Sequence, residues 1–138
     1  MLEQGIQANF PEPRLKATGC HFFALLKYLE IEQGFFVRDN DHIIEIFNKA
    51  LENGYMDNVC NVLNAPELLN MILQKPFYGI YHRDLKERSD ARNLYIVRLV
   101  RKDGTHFMCE YKGFTFDPMP INRPAAATWN LDSYRYLI

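Results

Sequence analysis

The sequence predicts a single α+β domain, with helices in its N-terminal half packed on an antiparallel β-meander in its C-terminal half. Three observations lead there. The chain has 138 residues, 48% apolar and 14% aromatic, enough for one core and too few for two. Apolar residues recur at helical spacing between Cys20 and Leu73. From Leu94 onward, extended apolar runs are divided by Asp103-Gly104 and Lys112-Gly113, pairs suited to tight turns.

The stretch up to Ala17, with Pro11 and Pro13 and little periodicity, is expected to be irregular. A helix is expected from Cys20 to about Glu30, with Phe22, Leu25, Leu26 and Leu29 as its apolar stripe. Asp41 can cap a second helix, whose apolar face is Ile43, Ile44, Phe47, Ala50 and Leu51 and whose stop is Gly54. Asn64, with Pro66 in the first turn and Glu67 three residues on, starts a third that buries Leu68, Ile72 and Leu73 before Pro76. His82 to Asp90 reads as a polar loop. Leu94–Arg101, Thr105–Tyr111 and Phe114–Asp117 read as strands, and Ser133–Ile138 as a last one beyond a Pro- and Ala-rich loop.

Composition excludes several classes. Sixteen basic and seventeen acidic residues leave no charge that would favour nucleic acid or an anionic membrane. Met1 to Ile6 has neither the basic run nor the apolar stretch of a signal peptide, and no window approaches a membrane span. Three scattered cysteines do not make a disulfide framework. A cytoplasmic protein with reduced thiols is expected.

The chemistry concentrates in three short segments: Thr18-Gly19-Cys20-His21-Phe22-Phe23, Gly104-Thr105-His106-Phe107 and Phe116-Asp117-Pro118. On a helix advancing about 100° per residue, the apolar stripe points away from Cys20, so its sulfur is expected outside the core, with a buried structural thiol as the alternative. A helix N-terminus and a nearby imidazolium both stabilise thiolate, and first-turn N–H groups can serve as oxyanion donors. If Lys112-Gly113 is a two-residue turn, Tyr111 pairs with Phe114, Cys109 with Phe116 and Met108 with Asp117. Phe107, Cys109, Tyr111, Phe114 and Phe116 then form one apolar face. His106 and Asp117 share the other as diagonal neighbours roughly 7 Å apart at the backbone. A thiol, an imidazole and an acid that fixes its tautomer are the parts of a cysteine nucleophile.

Gly-Cys at a helix start, a later Gly-x-His-Phe strand and Phe-Asp-Pro closing the next strand resemble papain-like cysteine peptidases of the bacteriocin-leader, C39-like type. Short single-domain phage, prophage and plasmid proteins of that kind look especially similar. The resemblance spans roughly Arg14 to Pro118. It implies a papain-like fold, Cys20 as nucleophile, His106 as general base and Asp117 as its orienting partner. It also implies a peptide or protein substrate cut at peptide or isopeptide bonds, with no cofactor. Where the family carries an oxyanion Gln, about six residues before the cysteine, this chain has Arg14. Gln7 and Gln4 lie further upstream and Lys16 is closer, so Arg14 and Gln7 are the candidates for the second donor. A peptidase-like binding or regulatory module without turnover is the alternative reading.

Other constellations carry less. His106 and Cys109 are three apart on a strand and point to opposite faces, so they are not a metal pair. His21 is expected on a helix surface, His42 in a first turn and His82 in a loop. Cys60 and Cys109 are expected to be packing thiols. Arg83, Lys86, Glu87 and Arg88 read as a solvated loop, Glu110 as a poorer orienter than Asp117, and Trp129 and Tyr134 to Tyr136 as packing groups.

Overall fold

A computed structural model describes residues 1–85, 87, 92–120 and 128–138. It is an α+β fold. A short 3-10 turn (Ile6–Asn9) precedes helices α1 (Pro13–Thr18), α2 (Cys20–Gln33), α3 (Asn40–Glu52) and α4 (Ala65–Leu73). Strands β1 (Tyr81–Leu85), β2 (Leu94–Arg101), β3 (Gly104–Tyr111), β4 (Phe114–Phe116) and β5 (Asn130–Leu137) follow. They form one five-stranded sheet in the order β1-β5-β2-β3-β4, antiparallel throughout. Only β2-β3-β4 is a meander, because the last strand inserts between the first two.

The segment before Cys20 is more ordered than its prolines imply. Pro13 supplies the first position of α1, where its missing N–H costs nothing, and the Glu12 carboxylate accepts from Leu15 N. Gly19 then divides α1 from α2. Its N–H donates to Leu15 O at 2.9 Å, ending α1, and its own carbonyl accepts from Phe23 N at 3.0 Å, opening α2. A Cβ on Gly19 would meet Leu15 O at 2.5 Å, so only glycine allows this close reversal. Cys20 is thereby the first residue of α2.

The striped picture of α2 is too narrow. Every residue from His21 to Glu30 is buried, because the helix runs through the middle of the domain and packs against β2, β3 and α4. Two charged residues fit in such a helix because they satisfy each other. Lys27 Nζ lies 2.7 Å from Glu30 Oε1 and donates to Leu2 O at 3.2 Å, while Glu30 Oε2 accepts from Leu2 N at 2.9 Å. That clamp ties the N-terminal segment to the core.

Several boundaries differ from expectation. Asp39, not Asp41, caps α3, accepting from His42 N; Asp41 lies in the first turn. The face of α3 that is buried is Ile43, Ile46, Phe47 and Ala50. Asn64 caps α4 through Glu67 N, as its sequence implies, and the residues it buries include Leu68 and Leu69, with Ile72 and Leu73 half-buried. The loop expected from His82 begins instead as strand β1, which pairs along its length with β5; of residues 86–90, only Glu87 is among the described residues. The β2–β3 turn is Lys102-Asp103, since Arg101 pairs with Gly104. The β3–β4 turn is Lys112-Gly113, with both residues at positive φ (50° and 81°). Its register pairs Tyr111 with Phe114 and Cys109 with Phe116. Asp117 lies just past β4, and Phe114 is exposed although its face is apolar elsewhere.

Candidate active site

His106 and Asp117 meet. His106 Nε2 and Asp117 Oδ1 are 2.8 Å apart, with the imidazole buried and the carboxylate largely so. Two strands and one turn bring this about. The two-residue turn sets β4 against β3, and the chain beyond Phe116 folds back past His106. Asp117 is fixed from several sides: its N–H donates to Gln4 Oε1 at 2.6 Å, and its Oδ1 also accepts from Met119 N at 3.1 Å. Its carbonyl accepts from Gly5 N at 2.8 Å, and Pro118 O from Gln7 N at 2.9 Å. The N-terminal segment is therefore laced to the segment that carries the acid.

Cys20, at the head of α2, lines the same cleft as His106, and its side chain bears on the charge of the imidazole. Burial alone would push the His106 pKa down. The Asp117 hydrogen bond and the Cys20 side chain outweigh it and lift the pKa to about 9. With Nε2 committed to Asp117, Nδ1 is the nitrogen left for the thiol. Trp129 lies against the ring, with centroids 5.9 Å apart, and Arg101 caps the indole at 4.2 Å.

Cys20 and His106 line one cleft of about 700 Å³, together with Gln7, Val59, Met119 and three arginines. Gln7 is buried, its Nε2 donates to Lys16 O at 3.2 Å, and its Oε1 has no hydrogen-bond partner among the described residues. Arg14 is turned elsewhere. It pairs with Glu12 at 2.8 Å, reaches Asn58 Oδ1 at 3.2 Å, and lies over the Phe47 ring at 4.9 Å. Of the two upstream candidates, Gln7 stands at the cleft.

His21 is not a surface residue. It is buried, stacks on Phe107 with ring centroids 3.8 Å apart and planes 3° from parallel, and bonds Tyr81 Oη at 2.8 Å. Burial, then the charges of Arg135 and Arg98, hold its pKa down at about 3, so it stays neutral. His82 lies on β1, bonded to Asp84 Oδ1 at 2.8 Å. Cys60 and Cys109 are buried packing thiols. Burial raises the pKa of Cys60 and pushes that of Cys109 up to about 12. Glu110 pairs across the hairpin with Thr115, one position past the acid's approach to His106.

Sequence reading missed Arg98, Arg135, Trp129 and Met119 as neighbours of the cleft, and took Arg83 for loop. Their signal is the sheet order, which brings β1, β5 and β2 side by side and is not a local property. Among the described residues no helix is long and apolar enough to cross a membrane. Comparison with protein-family models, curated proteins and solved structures finds no match to the chain.

Proposed function

We propose that the protein is a cysteine hydrolase that cleaves peptide or isopeptide bonds through Cys20, His106 and Asp117. One observation carries this reading: a buried imidazole is held at Nε2 by Asp117 and lines the same cleft as Cys20, the first residue of α2. A raised imidazole pKa favours the thiolate–imidazolium pair, the form in which a cysteine attacks.

Cys20 Sγ adds to the scissile carbonyl carbon, and the oxyanion develops beside the unpaired N–H groups of the first turn of α2. Gln7 is the side-chain donor within reach of the same cleft. Protonated His106 gives its Nδ1 proton to the leaving amine as the C–N bond breaks and the thioester forms. Neutral His106 then takes a proton from water, which attacks the thioester and releases Cys20. Asp117 keeps the ring in the tautomer and orientation that both steps use.

The test is alkylation followed by turnover. Iodoacetamide at neutral pH should modify Cys20 ahead of Cys60 and Cys109, and a fluorogenic peptide library should yield cleavage that Cys20→Ala abolishes. Equal modification of all three thiols, unchanged by His106→Ala, would leave only a peptidase-like binding module.

A further inference from the structure

The cleft beside Cys20 is cationic in a chain whose net charge is −1. Arg83, Arg98 and Arg135 line it from three adjacent strands, and among the described residues no Asp or Glu lines it. Arg83 stands directly across from Arg135 in the β1–β5 register. The Arg98 and Arg135 guanidinium carbons lie 6.0 and 5.8 Å from the centre of the Phe107 ring, and that ring stacks on His21, next in sequence to Cys20. Arginine charge is thus built into the cleft a few side chains from the sulfur.

Its placement depends on a bulge. Arg98 pairs with Ser133 but Leu99 with Leu131, so Asp132 is an extra residue in β5. From there Asp132 Oδ2 contacts Arg98 at 2.9 Å and Arg135 at 3.8 Å, and accepts from Ser133 Oγ at 2.8 Å. One carboxylate orients two guanidinium groups and neutralises one. Arg83, on the edge strand, is exposed. The surplus positive charge faces a concave, partly desolvated wall where it acts more strongly than on an open surface.

We infer that the cleft selects substrates carrying a carboxylate close to the scissile bond, an Asp or Glu side chain or a free C-terminus, held by Arg83, Arg98 and Arg135. Guanidinium forks match carboxylates in two-point geometry, and a neutral or basic residue there would leave the arginines unpaired or repelled. The inference rests on the hydrolase reading for the word substrate, but not for the recognition itself.

The experiment compares iodoacetate with iodoacetamide on Cys20 of the full chain at about neutral pH and low salt. The rate ratio, normalised to the ratio in urea-unfolded protein, should favour the anion roughly tenfold, and salt should erase much of that advantage. Arg83→Gln, an exposed change that spares the core, should lower the ratio roughly threefold, and Arg98→Gln with Arg135→Gln further. In a second arm, hexapeptide pools with one fixed Glu, Gln or Lys compete with iodoacetamide, and the Glu pool should protect Cys20 best. A ratio near one that ignores salt and the arginine changes, or equal protection by C-terminally amidated Glu and Gln pools with no gain when those termini are freed, overturns the inference. An intact ratio alongside iodoacetamide rates that ignore His106→Ala sinks the hydrolase reading instead, leaving a cleft that binds acidic peptides. Protection by free C-terminal carboxylates but not by side-chain ones would identify which source of the group the arginines read.

Discussion

Two buried histidines flank Cys20, and they are driven in opposite directions. His21 follows it on α2, and His106 meets it from β3. Both rings lose water. His21 faces Tyr81 and two arginines, and its pKa falls to about 3. His106 faces a carboxylate and a thiol, and its pKa rises to about 9 although burial pushes it the same way as His21. Burial lowers both; what keeps His106 chargeable is the carboxylate and thiol that outweigh it, whereas the arginines beside His21 add to its burial. The cleft has an arginine side, where histidine is a neutral spacer, and an acid side, where it is chargeable.

Removing the chargeable ring should have the largest effect. His106→Ala is expected to lower turnover by roughly 10²–10⁴-fold, the usual worth of general acid–base catalysis, and to slow alkylation of Cys20 at neutral pH. Kinetics on a cleaved library peptide, beside mass-spectrometric alkylation rates, read both. Wild-type rates for this variant would erase the distinction between the two histidines.

Changing its acid comes next. Asp117→Ala should cost more activity than Asp117→Asn, since an amide oxygen can still accept from Nε2–H, and Glu110→Ala should cost little. The folded His106 pKa of about 9 lies above its unfolded value near 6.5, so its contribution to stability is complete below about pH 6.5 and lost as pH rises through 9. The stability gap between wild type and Asp117→Ala should therefore be wider near pH 6.5 than near pH 9. Urea melts across that window measure it. A gap that widens with pH would mean the charge relation is reversed.

A smaller, mechanical effect is expected at the head of α2. In Gly19→Ala the new Cβ would sit 2.5 Å from Leu15 O, a backbone atom that cannot swing aside. The α1–α2 junction must shift, at a cost of roughly 1–3 kcal/mol as for other overpacked sites. Cys20 moves with it, so alkylation should slow even where the variant remains folded. Thermal melts and alkylation rates together separate the two consequences.

The contrast also marks how far the sequence could be read. Local signals were reliable: the Asn64 cap with Pro66 and Glu67, the Leu94–Arg101 strand, and the Lys112-Gly113 turn that fixes β3 against β4 all depend on residues a few positions apart. That turn was enough to bring His106 to Asp117. The arginine side was illegible because it depends on β5 crossing back between β1 and β2, which pairs Arg98 with Ser133 and Arg83 with Arg135 across long stretches of chain. His82 to Leu85 reads as polar loop because an edge strand keeps charged side chains toward water. His21 was misjudged for a related reason: Lys27 and Glu30 make α2 look amphipathic, but they are buried against the Leu2 peptide, and the helix has no solvent face from His21 to Glu30.

The smallest effect should come from the neutral histidine. His21→Phe keeps a ring against Phe107 and loses the bond to Tyr81 Oη. Leaving that buried hydroxyl without its partner is expected to cost roughly 1–3 kcal/mol. The cost should not depend on pH between about 5 and 8, because His21 is already neutral throughout that range with its pKa near 3. Nor should the variant change the pH profile of turnover or of Cys20 alkylation, whose titrating imidazole is His106. Urea melts at several pH values and a pH–rate profile read the two halves of this expectation. A shift in the rate profile would mean that His21 exchanges protons with Cys20 after all, and that burial and the arginines do not silence it.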